Sequence, residues 1–164
     1  MKLASGIEKF QTLVYPQMKN EFKSLEQGQS PETLFITCSD SRIDPNLVTQ
    51  TVPGELFVIR NAGNIVPKPG TGELSVEATI QYAVEVLKVS QIVVCGHSHC
   101  GAVTGLLNLD SLESMPAIKE WVCKSEKVLD RVSDCDNRID KAIQANVLLQ
   151  LEHLMEYPYV ASAV

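Results

Sequence analysis

Apolar residues along this chain gather in three short uninterrupted runs, each marked by a turn signal. Leu34-Phe35-Ile36-Thr37-Cys38 follows Ser30-Pro31, Leu56-Phe57-Val58-Ile59 follows Pro53-Gly54, and Gln91-Ile92-Val93-Val94-Cys95 is closed by Gly96. Continuous runs rich in β-branched residues predict strands of a parallel sheet covered on both faces. Between the second and third runs, Leu74 to Lys88 spreads its apolar positions nearly all round a helix. That pattern predicts burial on more than one side, against the sheet and against a partner subunit. A short helix is expected after Asp44-Pro45, with Asp44 as N-cap and Pro45 at the first helical position. Another should begin near Gly101. Pro116–Arg131 and Asp136–Glu156 read as helical, ending at Pro158, and Gly6–Gln27 as helical with a kink or break at Pro16.

Strands alternating with helices predict an α/β fold, a mostly parallel central sheet flanked by helices. No repeat or low-complexity linker divides the chain, so residues 1–164 are read as a single domain. Ligands of such sheets sit beyond the carboxyl ends of the strands. Cys38 ends the first predicted strand and His97 lies just past the third, so two strand ends point at one place.

Composition narrows the function. The formal charge of −6 argues against nucleic acid as the main partner, because phosphate binding needs a basic face. No apolar run has the length of a membrane span, and the first residues lack a secretory apolar stretch. A cytoplasmic protein is therefore expected. The five cysteines, Cys38, Cys95, Cys100, Cys123 and Cys135, are an odd number without an export signal, which argues for reduced thiols rather than a disulfide framework.

Two segments carry candidate chemistry: Cys38-Ser39-Asp40-Ser41-Arg42 and Cys95-Gly96-His97-Ser98-His99-Cys100. Thiolate and imidazole are preferred zinc ligands, and three protein ligands with one open position is the catalytic arrangement. His97 and Cys100 at a strand-to-helix turn, with Cys38 from a neighbouring strand end, supply such a set. Cys95, Cys123 and Cys135 are expected as small buried hydrophobes. His153 is expected as a surface or satisfied residue, and His99 should point away from the two residues that flank it. Arg42 can hold Asp40 bidentately, either as a structural cap or to keep that carboxylate beside a metal and its water.

These two segments together resemble the paired signature of β-class carbonic anhydrases. Pro53 to Asn64, with Arg60-Asn61-Ala62-Gly63-Asn64 at its end, looks like the same family's second-strand segment. The resemblance implies Zn2+ held by Cys38, His97 and Cys100, with Asp40 and Arg42 as a catalytic dyad. It places Gln29, Phe57, Ala62, Tyr82 and Gly101 around a carbon dioxide pocket. It implies reversible hydration of carbon dioxide to bicarbonate through a zinc-bound hydroxide. A homodimer, with higher assembly possible, in the cytoplasm or a carbon-fixing compartment, is implied as well. An allosteric branch of the family holds inhibitory bicarbonate with a Trp, an Arg and a C-terminal Tyr. Here Phe35 stands at the Trp position although Arg60 fits the Arg, and Gln29 is typical of the other branch, so the open form with Asp40 off the metal is expected. Members usually continue into a further strand that completes the sheet, which this sequence is expected to lack.

Two other readings share the residues. One is a carbon disulfide or carbonyl sulfide hydrolase on the same scaffold. The other is an inactive homologue in which Asp40 closes a structural zinc sphere. Gly70-Thr71-Gly72 lacks a full dinucleotide-binding fingerprint and does not directly follow a strand.

Overall fold

A computed structural model, describing residues 2–132 and 136–164, places Thr33–Cys38 (β1) at the centre of a parallel sheet. Leu56–Asn61 (β2) pairs on one side and Gln91–Cys95 (β3) on the other, giving the order β2-β1-β3 among the described residues. The most continuously apolar run became the central strand: from Leu34 to Cys38 every residue of β1 is buried. The edge strands are only partly covered, with Ile59 the single buried position of β2. Register sets Cys38 opposite Asn61, and Thr37 opposite both Arg60 and Cys95.

Helices cover this sheet and extend past its carboxyl end. Pro16 sits in the first turn of a short helical piece, and the N-terminal region divides into Lys2–Lys9 (α1), a wider turn over Phe10–Val14, Tyr15–Gln17 (α2) and Lys19–Ser24 (α3). Pro45–Thr49 (α4) starts as its sequence dictates: Asp44 Oδ1 accepts from the Leu47 amide at 2.9 Å. Leu74–Gln81 (α5) continues as a wider turn over Tyr82–Val86, two residues short of the expected Lys88. Its burial is one-sided within this chain: Val76, Ile80 and Ala83 are buried while Leu74, Tyr82 and Val86 are exposed. Gly101–Leu106 (α6), Pro116–Cys123 (α7) and Arg138–Met155 (α8) follow, with 3-10 turns over Leu109–Leu112 and Glu126–Arg131. Pro158 does not end the helical region; it opens one more short helix, Pro158–Ala161 (α9), because proline suits a first turn whose amide needs no acceptor.

Two packed cores result. One lies on the sheet, where Leu34, Ile36 and Ile59 meet Val76, Ile80 and the C-terminal Leu154, Tyr157 and Val160. The other lies beyond the strand ends, where α6, α7 and α8 bury Val103, Leu106, Val122 and Leu149 together with Cys38 and Cys100. Both cysteines therefore sit where the sheet gives way to the helical core.

Segment 63–67 between β2 and α5 is buried and lies in no strand. Buried backbone groups need partners, and α8 supplies them from side chains on one face. Asn146 Nδ2 donates to the Gly63 carbonyl at 2.9 Å, and Gln150 Oε1 accepts from the Val66 amide at 2.8 Å. His153 Nδ1 meets the Val66 carbonyl at 2.7 Å, and beyond the helix Tyr157 Oη donates to the Pro67 carbonyl at 2.6 Å. Gln150 Nε2 also donates to Asn146 Oδ1 and to Ser125 Oγ, which closes the network. His153 is thus a satisfied histidine, buried to 2 % exposure.

Burial holds the His153 pKa below its ordinary value, which the bond to Val66 only partly offsets, so the folded state favours neutral imidazole. Stability linked to His153 is fully present above the unfolded value of about 6.5 and is lost as pH falls through the lower folded value. Urea midpoints should therefore drop as pH falls from about 7 to below the ordinary imidazole value of about 6.5. His153→Asn retains a donor near the Nδ1 position and cannot titrate, so its midpoint should stay flatter over that window; an equal slope in the variant would exclude His153 as the source.

Candidate metal centre

Cys38 ends β1, while His97 and Cys100 belong to the turn that joins β3 to α6. Because β1 and β3 are parallel neighbours, their carboxyl ends deliver the three side chains to one place. Their ligand atoms all lie within 4.8 Å of one another. Cys38 Sγ and Cys100 Sγ are 4.0 Å apart, against the roughly 3.8 Å that two thiolates about 2.3 Å from a tetrahedral zinc would span.

The clearest fit to a metal is on His97. Its Nδ1 lies 2.9 Å from the Ser98 carbonyl, which can only accept, so Nδ1 carries the proton. Nε2 is left with a lone pair, and it is buried with no hydrogen-bond partner. Such an orphan is costly in a folded protein unless something else binds there. A backbone carbonyl fixing one ring nitrogen while the other faces outward is the usual support of a metal-ligating histidine. The donor set of two thiols and one imidazole suits zinc.

Around the sulfurs the polar groups favour negative charge. Cys38 receives the Cys100 thiol and the Gly63 and Asp40 amides, which together outweigh burial and hold it well below the ordinary thiol range. Gly63 N donates to Cys38 Sγ at 3.3 Å. Cys100 is pushed up, chiefly because its proton is shared with Cys38 and then by burial.

Asp40 and Arg42 form the expected fork. Arg42 Nε donates to Oδ1 at 2.9 Å and Nη2 to Oδ2 at 2.7 Å, and the Arg42 amide adds a third bond to Oδ1 at 2.9 Å. These bonds, with the Arg42 charge, hold the Asp40 carboxyl well below the usual carboxylate range. Asp40 Oδ2 stands 3.8 Å from His97 Nε2. Arg42 Nη2 also donates to the His99 carbonyl at 3.0 Å, tying the two ligand-bearing loops together. His99 takes part through its backbone: it is exposed, has a positive φ of 54°, and stands outside the ligand cluster.

The residues expected around a pocket are less tightly gathered. Phe57 and Tyr82 meet with ring centroids 5.9 Å apart. Ala62 is exposed, with its carbonyl accepting from Trp121 Nε1 at 2.7 Å. Gln29 and Gly101 are exposed, and no hydrogen bond joins either to the aromatic pair. Cys95 and Cys123 are free thiols but only half-buried, because each lies on an element whose outer side is open, so they are not core hydrophobes as expected. The expectation for Cys135 falls outside the described residues.

Several contributors escaped the sequence reading. Gly63 supplies an amide to a candidate ligand, Asn146 holds Gly63 from α8, and Arg60, matched above only to an anion-holding arginine, binds three carbonyls of the Cys38 loop. Asn146, Gln150 and His153 at spacings of four and three, on an otherwise apolar helical face, were the one available sequence signal.

Comparison with known proteins agrees with this geometry. A family model described as carbonic anhydrase matches residues 33–164. A carbonic anhydrase of Synechococcus elongatus is 47% identical over 98% of this chain and 62% of the relative. One from Pseudomonas aeruginosa is 44% identical over 99% of this chain and 76% of the relative. The chain thus spans about three fifths of the length of the cyanobacterial relative. Among solved structures, the β-carbonic anhydrase CcaA superposes with a TM-score of 0.94 at 42% identity, over 98% of this chain and 82% of that one. A β-carbonic anhydrase of Sordaria macrospora, described as tetrameric, gives 0.85 at 32% identity, over 99% and 83%.

Gly63 has a φ of +85°, and a Cβ there would stand 2.9 Å from the Ala102 Cβ. Gly63→Ala should shift its amide from Cys38 and weaken zinc binding by about 10- to 100-fold, the range seen when support behind a ligand is lost. Competition with a chromogenic chelator measures this; wild-type affinity would mean that the amide contributes nothing.

Proposed function

This chain belongs to the β-class carbonic anhydrase family, and on that premise we propose that it catalyses the reversible hydration of carbon dioxide to bicarbonate and a proton. The observation that carries the proposal is the buried, unpartnered Nε2 of His97 beside two sulfurs 4.0 Å apart. In this reading Cys38, His97 and Cys100 hold zinc. Zinc bound there supplies the Lewis acidity that makes water a nucleophile near neutral pH.

The chain's own residues do the rest. Asp40 stays ionised throughout the working range because Arg42 gives it three hydrogen bonds, so it can only accept a hydrogen bond, and it orients the attacking water. The water oxygen bonds to the carbon of carbon dioxide, one proton leaves to buffer, and bicarbonate departs. Phe57, Ala62 and Tyr82 provide the apolar side of the pocket. Gln29 and the Gly101 amide, one of the first amides of α6 without an intrahelical acceptor, donate to substrate oxygens. Arg42 holds Asp40 turned toward itself, which favours the open form over one in which Asp40 occupies the metal.

We read residues 1–164 as one catalytic domain working as a homodimer. α1, α2 and α3 bury none of their residues in this chain, and Leu3, Ile7 and Leu13 are 82%, 61% and 59% exposed. A second copy would cover this apolar arm and the exposed side of α5, close to Tyr82. Among the described residues no helix is long and apolar enough to cross a membrane, which fits a place in the cytoplasm or a carbon-fixing compartment.

Stopped-flow assays on metal-quantified protein should give hydration that scales with zinc content. Two thiolates and one imidazole cancel the metal's charge, so the rate should climb with pH to an apparent pKa above about 7. Full zinc occupancy without hydration from about pH 6.5 to about pH 9 would sink the reading. Asp40→Asn should keep its zinc and lose turnover by about 100-fold or more; unchanged turnover would remove Asp40 from the mechanism.

A further inference from the structure

Arg60 lies on β2 opposite Thr37, one residue before Cys38 in the register, and its side chain reaches over the strand end. Nε donates to the Cys38 carbonyl at 3.1 Å, and Nη2 donates to the Asp40 carbonyl at 2.7 Å and the Ile43 carbonyl at 2.9 Å. All three carbonyls belong to the turn that carries both a candidate ligand and the carboxylate beside it. The same turn has one further tie to β2, from the Ser39 amide to the Asn61 carbonyl at 2.9 Å.

We propose that Arg60 is a positioning residue of the metal centre, which holds the Cys38–Ile43 turn so that the Cys38 sulfur and the Asp40 carboxylate face His97 and Cys100; this rests on the reading of the site given above. The turn leaves the sheet at Cys38, so its carbonyls lose the strand partners that order β1. A planar guanidinium replaces them with several donors in fixed directions from one side chain. Two uses of this arginine compete: holding the turn and binding an anion. Nε and Nη2 are both spent on carbonyls, which favours the first and leaves only Nη1 for the second.

Arg60→Ala and Arg60→Lys separate these uses when titrated with Co2+ in place of zinc, with thiolate-to-cobalt charge-transfer absorption as the readout. Arg60→Ala should bind Co2+ about 10- to 100-fold more weakly, with a shifted spectrum. Arg60→Lys should recover only part of that loss, because one ammonium cannot reproduce the fork. In hydration assays kcat should fall while KM for carbon dioxide holds. Wild-type Co2+ affinity and spectrum in Arg60→Ala would overturn the proposal. A raised KM for bicarbonate with unaltered Co2+ binding would also overturn it and assign Arg60 to the anion. If circular dichroism shows Arg60→Ala unfolded, Arg60→Lys decides: weaker Co2+ binding supports the proposal and wild-type binding ends it. Metal binding is read apart from turnover, so a wild-type protein that binds Co2+ and hydrates nothing would fail the functional reading while leaving the test of Arg60 intact.

Discussion

Buried backbone must be hydrogen-bonded, and in this protein that requirement falls hardest on the stretch from Gly63 to Pro67. It leaves β2 and lies in no strand, and its middle is fully enclosed. Asn61 folds its own side chain back onto the Ile65 amide and carbonyl, and α8 satisfies Gly63 and Val66 from the far side. An unsatisfied buried amide costs about 1–3 kcal/mol, so this network holds the sheet, the metal-side loop and the last long helix in one arrangement. The Gly63 amide can then point at the Cys38 sulfur because its carbonyl is held by Asn146. A chain position 83 residues away thereby sets the polarity around a ligand.

A second set of bonds joins the two loops of the centre. Arg42 grips Asp40 with two nitrogens and its own amide, and reaches the His99 carbonyl with the same guanidinium. Asp40 therefore cannot swing independently of the turn that carries His97 and Cys100. The carboxylate and the two ligand-bearing turns are thus joined in one hydrogen-bonded arrangement.

The exterior has a different character from these fixed interiors. The N-terminal helices are tied to each other through Phe10, Tyr15 and Phe22 but bury nothing against the sheet. The all-round apolar pattern of residues 74–88 is half used inside the chain, on Val76, Ile80 and Ala83. The unspent half of the pattern, Leu74, Tyr82 and Val86, stays exposed.

What the sequence determined by itself was the strands, one helix cap and the residues gathered at the strand ends. The three strands follow from three apolar runs, with β3 matching Gln91–Cys95 to the residue, and α4 follows from Asp44 and Pro45. The cluster of Cys38, His97 and Cys100 was legible because parallel strands bring their carboxyl ends together, and the Asp40–Arg42 fork because its partners are two residues apart. Phe57 and Tyr82 were matched by family resemblance alone, and the chain brings them together without joining Gln29 or Gly101 to them. Only the tertiary structure decided the support: Asn146 behind Gly63, Arg60 across the Cys38 turn, Trp121 on the Ala62 carbonyl. These are hydrogen bonds from a side chain to a backbone carbonyl, and every residue has such a carbonyl. No pattern of residue types can name the acceptor, so the choice is made only when packing brings the two together.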